Sequence, residues 1–223
     1  MCTKVIYAGR HPVISAGIVS IIDRLENTEL AGSADHCSSA LRLADKVFFD
    51  VLVTDTSVPA PGDGEWRPLV CLIRDRHPEK GVVLHSCNSN AAYLSTLLSR
   101  GVDVLVDSFD IIEHLGEAIS AAERGDSYLS PRLRSTVEGH LRARGKPTPL
   151  SNIEIDVLHL LMAGLSVSEI AKKRFRAKQS ISTCKCSAMA KLGVASDAQL
   201  FSLLSIEDVS LLAALKSTVP AGV

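Results

Sequence analysis

Five short apolar runs, each followed by a segment with helical spacing, constrain this chain more than any other feature. The runs are Lys4–Ala8 (KVIYA), Glu29–Ala34 (ELAGSA), Val51–Thr54 (VLVT), Gly81–Leu84 (GVVL) and Asp103–Val106 (DVLV). Between them, Val13, Ala16, Ile18, Ile21, Ile22 and Leu25 recur every three or four residues, with Pro12 at a helix start. Ser38–Val47, a stretch near Trp66–Arg76, Ala91–Arg100 and Ile111–Arg124 also read as helices, and Gly125 stops the last. Pro59, Pro61, Gly62 and Gly64 make a loop before the third. Short apolar strands alternating with helices require a parallel sheet covered on both faces. The expected class is α/β, a doubly wound (βα)5 flavodoxin-like domain with strand order 2-1-3-4-5. Any site then lies at the carboxyl ends of the strands. Those ends carry Gly9 and Arg10, Asp55, Ser86, and Asp107 with Ser108.

The chain changes character after residue 128. Residues 1–128 hold 11 Lys/Arg against 18 Asp/Glu, a net of −7, and residues 129–223 hold 13 against 7, a net of +6. An acidic module joined to a basic one directs polyanions to the second alone. Residues 129–149 read as a basic linker that begins as helix and ends in a flexible join at Gly145, Pro147 and Pro149. Residues 150–206 read as four helices, and residues 207–223 as a tail that extends a dimer interface or packs back on its own domain.

Within the helical part, Ser151 with Glu154 and Ser166 with Glu169 each form a capping-box pattern, and Gly164 ends the first helix. Lys172, Lys173, Arg174, Arg176 and Lys178 then crowd a short break, where phosphates would be met. The next helix turns Ile181, Cys184, Ala188 and Leu192 inward. Its other face shows Lys178, Gln179, Ser182, Thr183, Lys185, Cys186, Ser187 and Lys191. A face of small polar and basic side chains without acid can approach a DNA groove closely, which makes the pair a helix-turn-helix candidate.

Other classes find less support. No apolar run approaches the ~18 residues of a membrane span, and the N-terminus lacks the apolar core of a signal peptide, so the cytoplasm is the expected compartment. The six cysteines show no CxxC pair or zinc spacing and read as free thiols. His85, Ser86 and Cys87 are adjacent on a strand and alternate faces, so they are no triad. His11, His77 and His85 read as loop or satisfied histidines, and Asp103, Asp107 and Asp110 as solvated loop charges. No complete catalytic constellation suggests an enzyme.

The segments RHPVISAGI, DVLVTDTSVP, VVLHS and GVDVLVDS, followed by the C-terminal helices, resemble a response regulator of the NarL/FixJ class: a receiver joined to a LuxR-type DNA-binding domain. The resemblance implies that Asp55 holds the phosphoacceptor position and Ser86 that of the hydroxyl residue. It also shows departures. Gly9 and Arg10 stand where the family carries two acidic Mg²⁺ ligands, and the lysine position falls on Ser108, with Asp107 beside it. A carboxylate attacking a phosphoryl group needs a hard cation to neutralise the charge there. Mg²⁺ binding is therefore expected to be weak or absent, with no other cofactor implied. Arg10 either pairs with Asp55 or stands exposed. By the same resemblance, Ser182 and Lys185 sit where relatives contact bases and Lys191 where they contact phosphate. Many relatives have Lys and His at the positions of Ser182 and Cys184. The implied partners are double-stranded DNA and a second copy, or a heterodimer with another response regulator, with no membrane. The leading expectation is a transcription regulator controlled by dimerisation or partner binding. A protein that sequesters another regulator, and a conventional phosphorylation-activated one, are the alternatives.

Overall fold

The computed structural model describes residues 2–56 and 68–215. The loop expected at Pro59–Gly64 and the start of the third helix lie outside them. Six parallel strands form one sheet: β1 (Thr3–Ala8), β2 (Thr28–Ala34), β3 (Val51–Asp55), β4 (Gly81–Ser86), β5 (Val104–Asp107) and β6 (Tyr128–Leu129). Their order is 2-1-3-4-5-6, so the expected order holds and a sixth strand joins its end. That strand pairs Tyr128 with Val104 and Leu129 with Leu105. Two residues are too few to show a period in the sequence.

Contacts divide the chain into two compact units, Met1–Cys87 with Val102–Ser135, and Asn88–Gly101 with Thr136–Val223. In the first, α1 (Pro12–Ile22) and α5 (Ile111–Arg124) share one apolar cluster with the sheet. Val5, Tyr7, Val51, Val53, Val83, Val104 and Val106 meet Ile18, Ile22, Leu115 and Ile119 there. The alternation of strand side chains thus points Asp55 and His85 toward the same face as Val53 and Val83. Helices α2 (Cys37–Lys46) and α3 (Leu69–Arg76) complete this unit together with the first turn of α6 (Pro131–Arg144).

The linker expected at 129–149 is more regular than its composition suggests. Leu129 lies in the sheet, the Ser130 N–H donates to the Leu105 carbonyl at 3.1 Å, and Leu133 is fully buried. Helix α6 runs on to Arg144, and within the expected linker only Ser130 and residues 145–149 lack helix or strand.

In the second unit, α4 (Ala91–Ser99) groups with the C-terminal helices rather than with the residues around it in sequence. The Asn90 amide donates to the Leu192 carbonyl at 2.9 Å, and the Thr96 hydroxyl accepts from the Leu150 N–H at 2.9 Å. The helices that follow are α7 (Asn152–Met162), α8 (Val167–Lys173), α9 (Lys178–Leu192), α10 (Asp197–Leu203) and α11 (Ile206–Leu215). Val157, Leu160, Leu161, Ile170, Ala171 and Ile181 form the core of the first three. Helix α11 buries Val209, Leu211, Leu212 and Leu215 and packs on α7, so the first part of the tail folds back on its own unit. Among the described residues no single helix is long and apolar enough to cross a membrane.

Candidate nucleic-acid interface and receiver-like edge

Both capping boxes close as their sequence pattern requires. The Ser151 N–H donates to Glu154 Oε2 at 2.6 Å while Ser151 Oγ accepts from the Glu154 N–H. Ser166 and Glu169 repeat the arrangement at the start of α8. Each box satisfies two backbone donors at a helix start, worth about 1 kcal/mol per cap. The caps set where α7 and α8 begin, and the break at Arg174–Ala177 then delivers α9.

Glu154 also does something its local pattern does not reveal. Its buried carboxylate accepts from Lys191 Nζ at 2.7 Å and from Ser187 Oγ at 2.6 Å. Burial pushes its pKa up, but the hydrogen bonds from Lys191, Ser187 and Ser151 together outweigh this and hold the carboxyl below its ordinary value. Lys185 is likewise held, 2.6 Å from Asp197. Three members of the expected DNA face, Lys185, Ser187 and Lys191, therefore have acidic partners within the fold. Lys178, Gln179, Ser182, Thr183 and Cys186 are exposed, and Thr183 bonds back to the Gln179 carbonyl. Lys172, Lys173, Arg174 and Arg176 are exposed beside them at the turn. The exposed cations gather at the start of α9 rather than along its length.

The carboxyl edge of the sheet is built differently. Arg10 is exposed and forms no ion pair with a described residue, so the pairing with Asp55 is not present. A Cβ on Gly9 would run into the Tyr7 hydroxyl, which fills the space a side chain at position 9 would need. No hydrogen bond from a described residue reaches that buried hydroxyl. Burial pushes the Tyr7 phenol up to about 12, with the Ser15 hydroxyl opposing and the Asp55 carboxylate reinforcing. Tyr7 stacks toward His85 with ring centroids 6.3 Å apart.

His85 is a buried strand residue rather than a loop histidine, and it lies opposite the half-buried Asp55 in the pairing of β3 with β4. Its Nδ1 is 3.3 Å from Ser108 Oγ. Burial lowers its pKa, with Asp55 opposing. Ser86, the next residue, is buried.

Asp107 corrects the expectation of a solvated loop charge. It is 0% exposed, accepts from the Phe109 N–H at 2.9 Å, and has Arg132 Nε 3.4 Å from Oδ2, a charge contact without hydrogen-bond geometry. Its backbone N–H donates to Ser130 Oγ at 3.0 Å. The Arg132 guanidinium covers the Phe109 ring at 4.8 Å. A buried carboxylate needs such a partner, and nothing local in the sequence shows that the first turn of α6 supplies it. All six cysteines are free.

Comparison with known proteins adds to this geometry. The model for bacterial regulatory proteins of the luxR family matches residues 148–204. Transcriptional regulatory protein RcsB of Escherichia coli (strain K12) is 30% identical over 202 residues, covering 91% of this chain and 94% of RcsB. The chain belongs to the response regulators of the NarL/FixJ class, in the group that contains RcsB. A structure of the RcsB–DNA complex aligns with 92% of this chain and 99% of its own, at 30% identity and a TM-score of 0.65. A structure of two RcsB dimers bound to two parallel DNAs aligns with a TM-score of 0.67 at the same identity. The family thus accounts for both units, the parallel sheet and the helix-turn-helix, and its members in this group are transcription regulators rather than enzymes.

Proposed function

We propose that this protein binds double-stranded DNA as a dimer and regulates transcription without Mg²⁺-dependent phosphoryl transfer at its receiver-like edge. The observation that carries the second half is Tyr7, whose hydroxyl fills the place where the family's first acidic ligand would stand. Mg²⁺ takes several hard oxygen ligands in near-octahedral geometry. At this edge Asp55 has no acidic neighbour at position 9 or 10, and Asp107 is engaged with Arg132. The donor set does not fit the ion. A lysine to hold phosphoryl oxygens is also missing at 107 and 108.

DNA binding is supported by the exposed cations at the turn and the small polar face of α9. The cations bind phosphates and fix the register, while Gln179, Ser182 and Thr183 present hydrogen-bonding groups to base edges. Dimerisation is supported by an exposed apolar patch. Ile14, Phe109 and Ile112 are exposed and, with Ile18, Ile21 and Ile111, line a cleft of about 320 Å³. Contiguous apolar surface of this kind marks a protein contact. The same patch supports the reading in which the partner is a second response regulator. The cytoplasm is the compartment this reading assigns.

Treatment with a small-molecule phosphodonor and Mg²⁺ tests the first claim. Intact mass is expected to show no adduct, and efficient modification of Asp55 would overturn it. Titration against duplex DNA at rising salt tests the second. Three phosphate contacts per subunit predict a slope of log K against log salt of about −5 for the dimer.

A further inference from the structure

Helix α8 ends on a phenylalanine in a backbone conformation that side chains avoid. The Phe175 N–H donates to the Lys172 carbonyl and the Arg176 N–H to the Ala171 carbonyl, at 3.2 and 2.9 Å. This pair of bonds is a Schellman stop, which places its penultimate residue in the left-handed region and favours glycine there. The same bond pattern closes α5, α7 and α9, and in those three the left-handed residue is Gly125, Gly164 and Gly193. At the fourth it is Phe175, with φ of 52°.

The substitution brings the fold no packing in return. Phe175 is 97% exposed, the most exposed of the large apolar side chains described. A bulky residue with positive φ is an outlier that persists where function holds it. Its neighbours in sequence are basic. Lys172, Lys173, Arg174, Arg176 and Lys178 surround it in sequence, and all are exposed. An aromatic ring set among phosphate-binding cations reaches the apolar part of the same backbone, the deoxyribose between phosphates.

We propose that Phe175 is a DNA-contact residue, its ring packing on the sugar-phosphate backbone beside the groove that α9 enters. This rests on the DNA-binding reading above and deepens it. The contact adds affinity without sequence preference and without releasing a counterion, so it is insensitive to salt, whereas the arginines beside it are not.

The test uses the full chain, a duplex selected from random sequence by the wild-type protein, and a scrambled duplex of equal length. Phe175→Asn removes the ring and keeps a residue that tolerates the left-handed region. It is expected to weaken binding to both duplexes about tenfold with an unchanged salt slope, and to raise Tm by about 2–4 °C as strain is relieved. Phe175→Tyr is expected to keep the wild-type affinity. Arg176→Gln is expected to reduce the magnitude of the slope by about 1 for each subunit. Phe175→Asn with wild-type affinity overturns the proposal while the salt slope keeps the DNA reading intact. A changed oligomeric state at unchanged affinity assigns the ring to a protein contact and overturns it too. If the wild-type protein enriches no duplex in the selection, the DNA reading falls and the proposal with it.

Discussion

The receiver-like edge and the helix-turn-helix handle charge in opposite ways. At the sheet edge, Asp107 is buried against Arg132, and a tyrosine occupies the space an acidic ligand would need. At the turn before α9, five cations stand exposed, of which Arg174 lies 3.8 Å from Asp156, while the lysines farther along the helix are half-buried and paired with Asp197 and Glu154. The scaffold is kept in both places, because valines and isoleucines in the sheet and the α7–α9 core hold it up. The chemistry rests on a handful of polar positions, and these can change without disturbing that packing. A preserved fold is therefore weak ground for assuming a preserved switch.

The largest test of this contrast removes charge from each region. Lys173→Gln, Arg176→Gln and Lys178→Gln together are expected to cost at least about a hundredfold in DNA affinity at moderate salt, and to flatten the salt dependence. Arg10→Gln, also the loss of an exposed cation, is expected to leave the DNA titration unchanged. Equal losses from the two variants would break the comparison.

Next in size is Glu154, where the acid holds a helix cap and two residues of α9 at once. Glu154→Ala is expected to lower stability by about 3 kcal/mol in a denaturant titration, since it opens a cap and leaves Lys191 half-buried without its partner. The pH dependence follows from the lowered pKa. Its contribution is fully present above the ordinary glutamate value of 4.5 and is lost as pH falls through the depressed folded value. Glu154→Gln should flatten the acid side of the stability profile, and an unchanged acid limb would show that the carboxylate is not so held.

A smaller effect is expected at the sheet edge. Gly9→Asp restores a family acid but meets the Tyr7 hydroxyl, at a cost of about 1–3 kcal/mol. In a Tyr7→Val background, which carries its own cavity cost, the same Gly9→Asp change should cost less than in the wild type. If the single variant is as stable as the wild type, the tyrosine does not block the position. The smallest change is Tyr7→Phe, which deletes a buried hydroxyl that no described residue hydrogen-bonds and is expected to raise stability by about 1 kcal/mol, read as a higher denaturant midpoint.

Much of this was legible in the residues. Five apolar runs dictated a parallel sheet and its order, and the Ser-x-x-Glu pairs placed the starts of α7 and α8, because periodicity and caps are local signals. The missing acids at Gly9 and Arg10 were equally plain. Other features were not local. Tyr128–Leu129 is too short to read as a strand until β5 offers it an edge. Lys185 and Lys191 look like free cations on a helix face until Asp197 and Glu154, 12 and 37 residues away in sequence, come within 2.7 Å. Phe175 looks like one apolar residue in a basic run. Only its backbone angle and exposure set it apart.

The sequence by itself determined the family, the parallel sheet, the acidic-then-basic division and the absence of the paired strand-end acids. Tertiary structure decided which charges remain available. Asp107 reads as a loop aspartate and becomes a buried partner of Arg132, and of the two readings open for the tail, a dimer extension or a segment packed on its own domain, Ile206–Leu215 takes the second as a helix on α7. The reason is physical. Apolar spacing repeats within a few residues and leaves its mark along the chain, but an ion pair depends on two side chains brought together from distant positions. That meeting is fixed by packing and not by spacing.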